Sequence, residues 1–270
     1  MTGFEGKVML VTGAGRGLGL AHARCLAALG ATVVVQDTGA DCHGCGEDPA
    51  VAAGAVQGLR DQGLAAHALS GGLDSRPRCH QLINTVLEAH GRLDGLIHNA
   101  GWVAHQDIED IDDAAFDAMK AAGGGRIVFT TSCRAIYPQY AQKGLASYAA
   151  VRMAALGIVN VLVREGAADN IVVNALSPVA KTRMWGVEGE PEELRPEAVA
   201  PGAAFLVSEA CTEGGWVLRA ANGQFHATRA TEADGVDYPR DLRGVGAASV
   251  AEMAASWSRI ALPTIEPRSR

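Results

Sequence analysis

The sequence has no excess of positive charge and no long uninterrupted hydrophobic run. Its 23 Lys and Arg residues stand against 30 Asp and Glu residues, which gives a formal net charge of −7. No extended basic surface is therefore available to bind nucleic acid or anionic lipid. Gly, Arg, Asp or Glu interrupts each apolar segment before it reaches the roughly 20 residues that span a bilayer. We expect a protein that binds neither nucleic acid nor membranes.

Cysteines are few and scattered, with six in 270 residues. No leader separates Met1 from the first apolar segment, so we expect a cytoplasmic protein with free thiols. Only Cys42, His43 and Cys45 cluster, and they form either part of a flexible Gly-rich loop or half of a zinc site. Because no second Cys/His pair at ligand spacing completes a tetrahedron, the sequence predicts no metal.

Short β-branched runs alternate with longer segments of helical periodicity. This pattern builds a doubly wound parallel sheet with helices on both faces, here of about seven strands. The predicted strands are Lys7–Val11, Thr32–Gln36, Ala65–Leu69, Gly95–His98, Arg126–Thr130, Ile171–Ala175 and Trp216–Leu218. We predict one α/β domain over residues 1–270, in which residues 224–270 form a C-terminal extension whose role the pattern does not reveal.

A glycine-rich motif, VTGAGRGLG, follows the first predicted strand and opens the first predicted helix. Glycine allows the tight turn there and lets a pyrophosphate approach the peptide N–H groups at the helix N-terminus. The motif therefore predicts a dinucleotide site. Its predicted contacts are Gly13, Arg16, Gly17, Leu18 and Gly19.

The second predicted strand ends at Asp37, which bears on the choice of dinucleotide. A carboxylate at this position can accept hydrogen bonds from both hydroxyls of the adenosine ribose, and it would repel a 2′-phosphate. Asp37 therefore favours NAD over NADP. Two alternatives stay open, because Arg16 could attract a 2′-phosphate and Asp37 could be an ordinary turn residue.

Four further motifs extend along the chain: HNAG at His98–Gly101, GGRIVFTTS at Gly124–Ser132, SYAAVR around Tyr148 and NIVVNALSPVAKTRM at Asn170–Met184. With the glycine motif, they make the chain resemble the short-chain dehydrogenase/reductase family over nearly its whole length. It is most similar to the (3R)-hydroxyacyl-CoA dehydrogenase branch, through Asp-Thr-Gly at Asp37, the long loop before Pro49, and the VAKTRM and PEAVAP segments. The resemblance implies a Rossmann-type fold and NAD-dependent hydride transfer to or from a secondary alcohol or ketone.

The resemblance also implies a catalytic set. Tyr148 would be the general acid/base, and Ser132 would hydrogen-bond the substrate oxygen, with Thr131 as the alternative because Ser132 is spaced more loosely from Tyr148 than is common. The family's lysine is replaced by Arg152, which supplies charge and ribose hydrogen bonds but does not readily release a proton. Tyr148 could instead simply pack in its helix, and Ser132 could be a strand-end cap. The implied nicotinamide contacts are Asn99, Ala100, Gly101, Tyr148, Arg152, Val179 and Thr182.

The chain departs from the family between the fourth and fifth predicted strands. The family carries two helices there, and the second bears an asparagine that holds a catalytic water. Only Trp102 to Gly124 lie there in this chain, enough for one helix capped by Asp112. Gly72 also replaces an aspartate that contacts adenine. With Arg152, these departures leave two hypotheses: an active dehydrogenase, or a cofactor-binding but catalytically degenerate protein that acts in binding or regulation.

The segment after Thr182 predicts an apolar substrate pocket. The predicted lid is Met184, Trp185 and Val187, which face Trp102 and Tyr137, although these side chains could equally be core. Four glutamates between residues 188 and 193 would disfavour a polyanionic coenzyme A ester if they lined the pocket mouth, and otherwise form a solvated surface. The substrate is then a hydroxyacyl thioester or a neutral steroid or alicyclic ketone. We also expect a homo-oligomer.

Overall fold

The computed structural model describes residues 3–41, 45–100, 113–182, 191–232 and 234–261. The chain divides into two compact units, Met1–Thr228 and Arg229–Arg270. The first unit contains the sheet and the predicted cofactor site, and the second contains one described helix, α8 (Val250–Ile260). The prediction of one domain with an extension from residue 224 stays a prediction.

The first unit is built on an eight-stranded sheet in the order β3-β2-β1-β4-β5-β6-β7-β8. The strands are β1 (Val8–Thr12), β2 (Thr32–Gln36), β3 (Ala66–Leu69), β4 (Gly95–His98), β5 (Gly125–Thr130), β6 (Ile171–Val179), β7 (Val217–Ala221) and β8 (Gln224–Thr228). All pairs are parallel except β7 with β8. The predicted doubly wound parallel sheet is confirmed. The eighth strand was not predicted, because β8 is largely exposed and gives no buried apolar run.

Seven described helices accompany the sheet in the first unit. They are α1 (Gly17–Ala28), α2 (Pro49–Arg60), α3 (Arg76–His90), α4 (Asp113–Ala121), α5 (Cys133–Ile136), α6 (Ala146–Glu165) and α7 (Ala200–Leu206). Asp48 followed by Pro49 predicts a helix N-cap with proline at the first helical position. Helix α2 begins there, and the Asp48 carboxylate accepts the N–H of Ala50. Helix α4 follows the shortened connection between β4 and β5, and its predicted cap, Asp112, lies outside the described residues.

The core lies on both faces of the sheet, since successive side chains of a strand point to opposite faces. On one face Met9 and Val11 belong to a buried cluster with residues of α1, α2 and α7. On the other face Val8 and Leu10 belong to a cluster with residues of α3, α4 and α6. The carboxyl ends of the parallel strands therefore meet at one edge between two helical layers, where open α/β sheets bind their ligands.

Helix α6 is the one described helix that is long and apolar enough to cross a membrane by length and composition. Its most apolar window has a mean hydropathy of 1.6 and is 11% buried. The buried Ala155 and Val159 pack in the cluster on the sheet, and Arg152 lies within the helix. A helix that forms a layer of an α/β fold passes the same test, so this property is weak evidence for a membrane span.

A buried histidine in α1 predicts that acid destabilises the fold. His22 is fully buried and its ring nitrogens have no hydrogen-bond partner among the described residues. Burial lowers its pKa from 6.5 to about 4, because the imidazolium would lose its hydration. The unfolded chain then binds the proton more tightly, so stability is lost as the pH falls from 6.5 towards 4.

We expect His22 alone to cost about 2 kcal/mol of unfolding free energy between pH 7 and pH 5. Urea denaturation at both pH values measures this change. The variant His22→Leu should lose less stability on acidification by about that amount. If wild type and variant lose the same unfolding free energy between pH 7 and pH 5, His22 is not the source of the acid sensitivity.

Candidate active site

The glycine-rich loop joins β1 to α1 and packs tightly against the end of β4. Gly13 and Gly17 have φ angles of +61° and +55°, in the left-handed region that favours glycine. A Cβ atom at Gly13 would lie 2.8 Å from Cα of Ala100. A Cβ atom at Gly19 would overlap the carbonyl oxygen of Gly13. The glycines thus allow the loop to pack closely against Ala100 and against its own backbone at the N-terminus of α1, where the helix dipole favours an anion such as a pyrophosphate.

Asn99 and Ala100, which follow β4, are held to the end of β1. Their backbone N–H groups donate to Oγ1 of Thr12 at 3.1 and 3.0 Å. The Nδ2 group of Asn99 donates to the carbonyl oxygens of Thr12 and Gly13, each at 3.2 Å. The Asn99 side chain therefore positions the glycine loop. Gly101, also predicted at the nicotinamide, lies outside the described residues.

Asp37 faces the glycine loop from the end of β2. Its Oδ2 accepts the N–H of Gly15 and its Oδ1 accepts that of Gly39, both at 2.8 Å. A carboxylate has about four acceptor positions, so about two have no donor among the described residues. Nη1 of Arg16 lies 3.4 Å from the carbonyl oxygen of Ala40, on the segment that follows Asp37. Both residues weighed in the choice between NAD and NADP are thus at the same end of the site.

Gln36 is a site residue that the motif analysis did not single out. It is 1% exposed; its Oε1 accepts the N–H of Gly13 at 3.2 Å, and its Nε2 donates to the carbonyl oxygen of Gly71 at 2.7 Å. It joins the glycine loop to the segment after β3. The available signal was a glutamine inside an otherwise apolar, buried parallel strand, since a buried amide requires partners.

The end of β5 distinguishes the two candidate hydroxyl groups. Oγ1 of Thr131 donates to the carbonyl oxygen of Arg152 at 2.7 Å, so its proton is already used. Oγ of Ser132 accepts the N–H of Arg134 at 3.2 Å as the N-cap of α5. Because Ser132 acts there as an acceptor, its O–H can donate to a substrate oxygen. The geometry favours Ser132 over Thr131.

Tyr148 and Arg152 lie one turn apart in α6. The guanidinium carbon of Arg152 is 5.5 Å from the ring centroid of Tyr148, and Nη1 donates to the carbonyl oxygen of Thr130 at 2.9 Å. The positive charge is therefore held between the tyrosine ring and the end of β5. The bond from Thr131 to Arg152 also ties this end of the strand to α6. The structure thus brings Ser132, Tyr148 and Arg152 to the carboxyl edge of the sheet.

The segment after β6 also reaches the glycine loop. Val179 ends β6 and pairs with Ala221. A Cβ atom at Gly17 would lie 3.4 Å from Cγ2 of Thr182, so Thr182 borders the loop. Leu18 is partly buried and packs against the core cluster, and its cofactor contact stays a prediction. Six residues of earlier predictions lie outside the described part of the chain. They are Met184, Trp185 and Val187 of the predicted lid, Trp102 that faces it, and Cys42 and His43 of the possible zinc site.

Tyr137, predicted as a pocket wall, lies in a cluster of polar and aromatic side chains. Its hydroxyl is 3.0 Å from Oγ1 of Thr228, and its ring packs edge to face against Tyr140. The guanidinium carbon of Arg219 lies 4.8 Å from the Tyr137 ring centroid. Contacts from β7 and β8 thus fix this side chain, and the sequence pattern did not reveal them.

The loop, the acidic residue at the end of β2 and the hydroxyl groups at one sheet edge are features of a dinucleotide-binding α/β oxidoreductase. The family model of short chain dehydrogenases matches residues 7–120 and 113–193. The chain belongs to the short-chain dehydrogenase/reductase family. Members of this family use a nicotinamide cofactor and act on CH–OH groups. The predicted family and the prediction of an oxidoreductase are therefore confirmed.

Individual relatives agree with this family. The chain is 36% identical over 242 residues to peroxisomal multifunctional enzyme type 2 of Mus musculus, covering 82% of this chain and 32% of that protein. The chain thus spans about a third of that relative's length. It is 32% identical over 282 residues to a short-chain type dehydrogenase/reductase of Mycobacterium tuberculosis, covering 96% of each. A crystal structure of a short chain dehydrogenase from Mycobacterium avium superposes with a TM-score of 0.74 at 28% identity, covering 95% of this chain and 94% of that one.

The comparisons also bear on the segment that the sequence predicts to be shortened. The alignment with the mouse protein runs over 242 positions, whereas 82% of this chain is about 221 residues, so about twenty positions have no counterpart here. The two parts of the family match meet and overlap at residues 113–120, within α4. The family match is thus interrupted within the crossover between β4 and β5, where the sequence predicts a shortened segment.

Proposed function

We propose that this protein is an NAD(H)-dependent oxidoreductase that transfers hydride between nicotinamide and a secondary alcohol or ketone of an apolar substrate. The observation that carries the proposal is the position of Ser132, Tyr148 and Arg152 at the same sheet edge as a glycine loop that has no room for a Cβ atom at Gly19. When bound, the cofactor supplies or accepts the hydride. The protein orients the reacting carbon and handles the proton.

The proposed proton chemistry uses the two hydroxyl groups. Tyr148 donates its phenolic proton to the carbonyl oxygen during reduction and removes that proton during oxidation. Ser132 donates a hydrogen bond to the same oxygen and stabilises its negative charge. Arg152, beside the Tyr148 ring, stabilises the phenolate by its charge, but it does not pass on the proton because a guanidinium stays protonated.

The proposed cofactor is NAD, and Asp37 is the residue that tests it. We expect Asp37→Ser to weaken NADH binding by about tenfold or more, because a charge-assisted hydrogen bond to ribose is lost. NADPH binding should improve, since its 2′-phosphate no longer meets a carboxylate and Arg16 lies nearby. Fluorescence titration with both cofactors measures the two affinities.

The control for this experiment is Asp61→Ser, which removes an exposed carboxylate at the end of α2. Its affinities for NADH and NADPH should equal those of wild type. If Asp37→Ser binds NADH as tightly as this control, Asp37 does not contact the ribose.

The proposed substrate is a hydroxyacyl thioester, a steroid or an alicyclic alcohol, which share a secondary alcohol or ketone on an apolar body. Similarity to a peroxisomal multifunctional enzyme supports the thioester. The excess of acidic groups in the chain supports an uncharged substrate instead. We therefore propose the feature that the three share, a secondary alcohol or ketone on an apolar body. Turnover rates measured with each of the three identify which class is the substrate.

We also propose a cytoplasmic homo-oligomer. Cys25, Cys133 and Cys211 have free thiols, as in a reducing compartment. Apolar side chains and glycine at helical spacing form an exposed face of α6, with Met153 47% and Val161 54% exposed. Other members of this face are Ala146, Ala150, Ala154 and Gly157. Such a face fits a symmetric partner. Sedimentation equilibrium should give a mass above the 27.9 kDa of one chain.

A further inference from the structure

A cavity of about 350 Å³ lies between the sheet and helices α3, α4 and α6, within the first unit. Helix α4, at the end of the crossover between β4 and β5, contributes Ala115 and Phe116 to the wall. Most of the wall is apolar and comes from the sheet and α3. The main apolar side chains are Leu10, Leu82, Ile83, Leu96, Ile127 and Phe129.

The few polar groups at the cavity restrict the charge of a ligand. Thr12 and His98 line it from the ends of β1 and β4. Burial, and then the positive charge of Arg152, lower the pKa of His98 to about 4, so this imidazole is neutral at pH 7. Asp117 and Glu165 are exposed carboxylates on α4 and α6 that also line it. An anion would meet two negative charges and no described cationic side chain in the lining.

We propose that this cavity is a binding site for a small, uncharged, apolar organic molecule. Its volume lies within the range of small-molecule pockets, and an apolar cavity of about 150 Å³ already suffices for benzene. Water is a poor occupant of most of this space because it requires two or more polar partners. The site differs from the proposed catalytic site, since neither Ser132 nor Tyr148 lines it.

One contact connects the cavity to the cofactor loop. Thr12 lines the cavity, and its Oγ1 atom accepts the N–H groups of Asn99 and Ala100. A molecule in the cavity therefore touches the residue that holds β4 against the glycine loop. The site therefore lies beside α4 and adjoins a residue that positions the cofactor loop.

Indole is the neutral probe for this site, and indole-3-carboxylate is its anionic counterpart. The full-length protein is used without cofactor, so the result does not depend on the proposed enzymatic function. We expect indole at ten times its Kd to raise the Tm by about 3 °C. By calorimetric titration, the anion should bind at least about tenfold more weakly.

Two variants locate the binding. Ala115→Phe places a ring in the cavity and should abolish indole binding, whereas Ala53→Phe adds the same ring on the exposed surface of α2 and should leave binding unchanged. If Ala115→Phe does not fold, Cys79→Met adds less volume to the same wall and should weaken binding several-fold. No indole binding by wild type, equal binding of the anion, or undiminished binding in the folded cavity variant would overturn the proposal.

Discussion

Tyr148→Phe should lower the rate of ketone reduction by NADH by about 10²- to 10⁴-fold, the usual contribution of a positioned general acid. The variant loses the phenolic proton but keeps the ring that lies 5.5 Å from the Arg152 guanidinium. NADH affinity should therefore change little. Steady-state rates with cyclohexanone, a steroid ketone and an acetoacetyl thioester measure the effect and identify the best substrate.

Tyr140→Phe is the matched control for this experiment, because it removes the same hydroxyl from a side chain that is 42% exposed beyond α5. It should keep the wild-type rate within a few-fold. Equal residual rates in wild type and Tyr148→Phe, with NADH bound by both, would exclude the enzymatic role of Tyr148. That outcome would instead favour the cofactor-binding, catalytically degenerate protein.

Gly19→Ala should abolish measurable NADH binding and lower the unfolding free energy by roughly 1–3 kcal/mol, as overpacking does. The added Cβ would overlap the carbonyl oxygen of Gly13 and lie 2.8 Å from Nδ2 of Asn99. These atoms belong to backbone and to a side chain held by two hydrogen bonds, so they cannot move aside independently. Urea denaturation and NADH titration measure the two losses.

Gly54→Ala is the control, because it makes the same change in α2 where nothing lies within 4 Å of the added atom. Alanine has a higher helix propensity than glycine, so this variant should gain up to about 1 kcal/mol and bind NADH normally. Similar gains in stability from both substitutions, with NADH binding intact, would show that Gly19 is not closely packed.

Local features of the fold were predictable because they depend on short segments. The strand β2 and the start of α2 at Pro49 were predicted at their observed positions, since one is a β-branched run and the other follows a side-chain cap. Strand β6 was predicted to end at Ala175 but extends to Val179. Its last residues are fixed by pairing with β7, which comes from a distant part of the chain.

The sequence alone identified four features of the site: the glycine spacing, Asp37, and the segments around Ser132 and Tyr148. Backbone conformation and side-chain chemistry limit those positions to a few residue types. Those motifs established the family and the doubly wound sheet. Only the tertiary structure decided that Thr131 donates its hydroxyl proton to α6, that Gln36 accepts a hydrogen bond from the glycine loop, and that a cavity lies beside α4. These features depend on contacts between segments far apart in the chain, so no local pattern of residues determines them.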